Sequence, residues 1–74
     1  MRGQARVREW DERGFARLES EELPDELIFC HFSAVEGDPR LRPGQLVEAE
    51  WIGPLVSDQD GCRFMAEHVR PLVG

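Results

Sequence analysis

The chain contains no lysine: all nine of its basic residues are arginine, set against fifteen Asp and Glu, for a formal net charge of -6 and a pI near 4.8. Read as a bulk property, that balance argues against a partner as acidic as DNA or RNA, because non-specific affinity for either comes largely from neutralised phosphates. Cysteine is scarce. Cys30 and Cys62 are too few for a disulfide scaffold, and a cytoplasmic setting would keep both reduced. No apolar run approaches the roughly 18 residues of a membrane span. Met1-Arg2-Gly3-Gln4 lacks the apolar stretch of a signal peptide, so a cytoplasmic protein is expected. There is no repeat or low-complexity tract, and no stretch keeps a helical apolar period over three turns. A chain this short has little room for a concave catalytic pocket, so an enzyme is not expected.

What is present fits one small domain over residues 1–74. A chain of this size buries only about 60% of the surface that its unfolded form exposes. At 41% hydrophobic it is nonetheless too apolar for a disordered tail. The charge is unevenly placed: residues 1–17 carry a net +2, residues 18–36 a net -6 and residues 37–74 a net -2. Such asymmetry allows a locally basic face on an acidic protein.

Short apolar runs recur between turn residues. Residues 4–10 alternate weakly through Ala5, Val7 and Trp10, and Phe15-Ala16-Arg17-Leu18 follows Gly14, which permits a tight bend. Glu21-Glu22-Leu23-Pro24-Asp25 reads as an acidic loop, since proline does not fit a central strand. Leu27 to Phe32 is the strongest strand, rich in β-formers. Alternation within it points Cys30 inward, as a small core side chain, and puts Phe29 and His31 together on the other face. Gly37, Pro39, Pro43 and Gly44 mark a long irregular connection with room for a short helical turn. Val47, Ala49 and Trp51 then alternate with Glu48 and Glu50 in a half-buried strand. Asp60-Gly61 is a hairpin signal. Cys62, Phe64 and Ala66 alternate in the last strand, where the three-residue step to Val69 predicts a bulge. Five strands in so short a chain read as a small barrel or sandwich.

Four segments in order resemble the bacterial cold-shock domain, over Gly3 to Leu72. Arg13-Gly14-Phe15-Ala16-Arg17-Leu18 stands where that family has Lys-Gly-Phe-Gly-Phe-Ile, its first ribonucleoprotein motif. Ile28-Phe29-Cys30-His31-Phe32-Ser33-Ala34-Val35 is similar to the second motif, Val-Phe-Val-His-Phe-Ser-Ala-Ile. Leu41-Arg42-Pro43-Gly44-Gln45-Leu46-Val47 resembles the Leu-x-x-Gly-Gln-x-Val that opens the fourth strand, and Ala66-Glu67-His68-Val69 the closing Ala-x-x-Val. The all-Arg composition and the Asp58-Gln59-Asp60-Gly61 loop are similar to a divergent actinobacterial branch. The resemblance implies an all-β, five-stranded antiparallel OB-fold barrel whose second and third strands offer aromatics to single-stranded RNA or DNA. It also implies a role as RNA chaperone or regulator of transcription or translation under stress.

An acidic protein can bind single strands when stacking carries the energy: each stacked base contributes roughly 1–3 kcal/mol, whatever its identity. Phe15, Phe29, His31 and Phe32 match the family's platform aromatics. Trp10 stands near another, in a first hairpin one residue shorter. Arg17 replaces the motif's second phenylalanine and Ala16 its glycine. Arg17 either stacks and meets a phosphate, forming with Arg13 and Arg8 a basic edge, or is a solvated side chain paired to Glu19 or a neighbouring strand. Asp38 falls where the family often has an aromatic, so affinity below that of its standard members is expected. Trp51 beside Ala49 reads as a core exchange that conserves volume. Cys30, His31, Cys62 and His68 lack the paired spacing of a zinc site, and neither a metal nor another cofactor is expected. Nor is a membrane or a small-molecule substrate expected as partner. The competing reading is a barrel that has traded nucleic acid for a protein of the transcription or translation machinery. Arg17, Asp38, the net charge and the acidic segment from Glu19 to Glu26 keep it open.

Overall fold

The alternating runs become five strands: β1 (Arg2–Asp11), β2 (Phe15–Glu19), β3 (Ile28–His31), β4 (Leu46–Ile52) and β5 (Phe64–Pro71), with a 3-10 turn at Phe32–Ala34. The computed structural model describes residues 1–72. The strands close into a barrel in the order β1-β2-β3-β5-β4, an all-β architecture of the OB type. One expectation is corrected. The barrel is mixed rather than antiparallel throughout, because β3 runs parallel to β5 through Ile28–Phe64 and Phe29–Met65. The reason is parity: strands in a ring of five cannot alternate direction all the way round, so one neighbouring pair must be parallel. The long connection after β3 supplies that pair, carrying the chain across the barrel to β4 before the chain returns along β5.

Two bulges set which side chains face the interior. On β1, Val7 pairs with Leu18 and Glu9 with Arg17, leaving Arg8 out of register. On β5, Glu50 pairs with His68 and Trp51 with Ala66, so Glu67 is the extra residue, where the Ala66–Val69 step predicted one. Each bulge turns an apolar spacing of three residues into two inward positions on one strand. The interior is filled by Ala5, Val7, Ala16, Leu18, Ile28, Cys30, Leu41, Val47, Ala49, Trp51, Phe64, Ala66 and Val69. Trp51 is 1% exposed and Ala49 fully buried, the large-and-small pairing expected of the core. The indole N–H of Trp51 is buried and has no hydrogen-bond partner among the described residues.

Cys62 departs from its expected place. Alternation put it on one face with Phe64 and Ala66, but β5 begins only at Phe64, and Cys62 belongs to a turn that packs on the outside of the barrel. That turn is closed by paired backbone hydrogen bonds between Gln59 and Cys62, both 2.9 Å, around Asp60 and Gly61 at φ 50° and 84°. Two successive positive φ angles define the type I′ turn for which Asp-Gly is suited. No helix among the described residues is long and apolar enough to cross a membrane.

Candidate nucleic-acid interface

The outer face of β2 and β3 gathers most of the candidate residues. Register pairs Phe15 with His31 and Arg17 with Phe29, and all four side chains lie on the face opposite Ala16, Leu18, Ile28 and Cys30. The Phe15 and Phe29 rings stand 4.8 Å apart at 32°. At the end of β3, His31 caps the 3-10 turn: its Nδ1 accepts from the Ser33 backbone N–H at 3.2 Å and lies 2.7 Å from the Ser33 hydroxyl. The cap orients the imidazole against Phe32, with ring centroids 4.4 Å apart. Phe32 is 47% exposed and His31 also faces solvent. Phe32 leans over Gly14, where an added Cβ would come within 3.2 Å of its ring, so glycine serves close approach there as well as the turn, at φ 101°.

Trp10 does not join this face. The Arg8 bulge shifts the register, so Trp10 pairs with inward Ala16 and packs half-buried against the core, while Glu9 and Asp11 take the outward positions opposite Arg17 and Phe15. Sequence reading missed these two carboxylates as part of the site. Their only signal was the three-residue step from Val7 to Trp10.

Phe15 and Phe29 also lack bare faces, being only 5% and 7% exposed. They form a second apolar cluster with Cys62, flanked by Leu27 and Met65. The guanidinium carbons of Arg13 and Arg17 each sit 5.1 Å from the centre of the Phe15 ring. Arg17 takes the neighbouring-strand pairing: its Nη1 bonds Glu9 at 2.7 Å, and its Nε donates to the Asp60 carbonyl at 3.0 Å. Arg13 is forked onto Asp11 at 3.1 and 3.2 Å and lies 3.5 Å from Asp60. The side-chain bond from Arg13 holds the Asp11 carboxyl below its usual range. Both arginines are thus bound to carboxylates on the aromatic face itself. Arg8 points elsewhere, 3.7 Å from Glu19.

The acidic segment is mostly exposed, and Glu26 reaches Arg63 at 3.3 Å. An open groove of about 940 Å³ runs along it and the start of β1, lined by Arg6, Arg8 and Glu19 but by none of the candidate aromatics. Cys30 and Cys62 are buried in separate clusters. Among the described residues no three His, Cys, Asp or Glu side chains converge as a metal site would require.

Comparison with known proteins finds no family model that matches this chain, and no curated protein that matches it either.

Proposed function

We propose that the chain is a non-catalytic module that binds single-stranded RNA or DNA by stacking bases on the β2–β3 face. The observation that carries this reading is the run of aromatics along one outer face, Phe29 and Phe15 leading to the exposed, touching rings of His31 and Phe32. An exposed aromatic pair held in place by a turn cap offers stacking faces, and bases match its shape and chemistry. The motif resemblance to the cold-shock domain points the same way, and with it the roles of RNA chaperone or regulator of transcription or translation in the cytoplasm.

The test is fluorescence anisotropy of a labelled oligothymidine titrated with the protein. Saturable binding is expected. Replacing His31 or Phe32 by Ala should weaken it roughly 5- to 150-fold per stacked base lost. Thermal unfolding should change little for Phe32, whose ring is half exposed, whereas His31→Ala also removes the cap of the 3-10 turn and should cost about 1 kcal/mol of stability. No anisotropy change at high micromolar protein sinks the idea, and full affinity in both variants would show that the face is wrong.

A second reading has its own observation. Arg13 and Arg17 are already satisfied by Asp11, Glu9 and Asp60, which leaves this face poor in free positive charge and suits a protein partner better than a phosphate backbone. Capture of a transcription or translation protein that survives nuclease treatment, without oligonucleotide binding, is the outcome that favours it.

A further inference from the structure

Two phenylalanines on the outside of a barrel need something to cover them. Here Leu27, Met65 and the Arg13 and Arg17 guanidiniums flank them, and the connection between β4 and β5 adds Cys62 to the cover. Its tip, the Gln59–Cys62 turn, sets Cys62 against Phe15 and Phe29 with no exposed surface left on the cysteine. The backbone bonds that shape this turn are internal to it, so the turn keeps its form whether or not it rests on the barrel. Among the described residues, Asp58–Cys62 is tied to β2 and the β1–β2 turn beneath it by only two polar contacts. One is the Arg17 Nε bond to the Asp60 carbonyl, and the other is the 3.5 Å ion pair from Arg13 to Asp60. The arm leading to the tip is equally loose: Val56 is fully exposed, and Val56, Ser57 and Asp58 make no backbone hydrogen bond among the described residues. An exposed ion pair and a single hydrogen bond are among the weaker fastenings a fold uses. Segments with few buried contacts and unbonded backbone are the ones that open locally.

We propose that Asp58–Cys62 is a lid over the Phe15–Phe29 pair, latched by Arg17, and that a single strand gains those two rings only when the lid lifts. The proposal rests on the single-strand reading above and adds its regulation. With the lid closed, a strand meets only His31 and Phe32. With it open, the Arg17 Nε loses the Asp60 carbonyl and can donate to a base or phosphate, while its Nη1 stays on Glu9. The closed population lowers apparent affinity in proportion to the fraction of molecules that are open. Glu9 holds the latch from the other side, fixing the guanidinium that grips the lid.

Cys62 reports on the lid. Burial pushes its thiol up while the lid is shut, and the core thiol of Cys30 is pushed up to about 12, so neither reacts readily in the closed molecule. Lifting the lid exposes Cys62 alone. The experiment is alkylation by iodoacetamide under native conditions, with the rate at each cysteine followed by peptide mass spectrometry. Cys62 is expected to react at least about tenfold faster than Cys30, because the lid opens without global unfolding. Arg17→Gln should raise the Cys62 rate several-fold and leave Cys30 slow, and saturating oligothymidine should raise it in the unmodified chain. Should Arg17→Gln disturb the fold, Cys30 will become reactive too. Glu9→Gln, which loosens the latch without removing it, then takes its place with a smaller rise at Cys62 expected. Equal rates at the two cysteines, or a Cys62 rate indifferent to the latch variants, would overturn the lid. A Cys62 rate unchanged or slowed by bound oligothymidine would overturn its part in binding. Failure of oligothymidine to bind at all would overturn the single-strand reading instead, while the free-protein rates still decide whether the lid exists.

Discussion

Cys30 faces the barrel interior with no exposed surface, and desolvation of the thiolate pushes its thiol from 9.0 up to about 12. The unfolded chain therefore releases this proton before the folded one does. The stability held in the neutral thiol is complete below pH 9 and is lost as pH rises from there toward 12. Unfolding free energy should fall across that window with a slope approaching about 1.4 kcal/mol per pH unit from this group. Cys30→Ala should flatten the fall, as read from denaturant unfolding at a series of alkaline pH values; an unchanged slope would exclude Cys30 as its source. The inward placement of Cys30, like that of Trp51, was legible in the sequence because strict alternation is a local property. Trp10 was not legible. One bulged residue, Arg8, exchanges the faces of everything after it, so Glu9 occupies the outward place that the aromatic was expected to hold.

Among the connecting elements, two glycines of the β4–β5 connection do different work. Gly61 sits at φ 84° in open space, so Gly61→Ala meets only the left-handed backbone cost of about 1 kcal/mol, a fall of roughly 4–8 °C in Tm for a domain of this size. Gly53, at φ 144°, is hemmed in: an added Cβ would lie 2.5 Å from the Phe64 ring and 2.9 Å from the Arg63 carbonyl. Gly53→Ala should therefore cost a further 1–3 kcal/mol or so from overpacking. Thermal unfolding of the two variants checks the order, and equal shifts would contradict it. The turn at Asp60-Gly61 was legible from its dipeptide. Its docking onto Phe15 and Phe29 was not, because it depends on contacts with strands distant in sequence. Similarly, the strand expected to run through Phe32 ends at His31, since the imidazole accepts the Ser33 N–H and starts the 3-10 turn there.

At the scale of the whole molecule, the net charge of -6 and the carboxylates that occupy Arg13 and Arg17 leave few cations for phosphates. If both arginines engage the strand, the slope of log K against log salt should be no steeper than about -1.4, near -0.7 for each phosphate neutralised. The oligothymidine titration repeated between about 50 and 200 mM salt measures it, and a slope several times steeper would mean that a basic surface elsewhere carries the binding. The class of fold was legible from five alternating runs. Its one parallel pair was not, because alternation records which way side chains face and not which way strands run. That pair has a consequence for how the molecule breathes. The β3–β5 seam is zipped by only two residue pairs, whereas β4 and β5 share six. Among the strand amides of the barrel, those along the seam are expected to exchange with solvent first, and Phe29 and Met65 lie across it. The aromatic face thus rests on the line along which this barrel is most ready to unbutton.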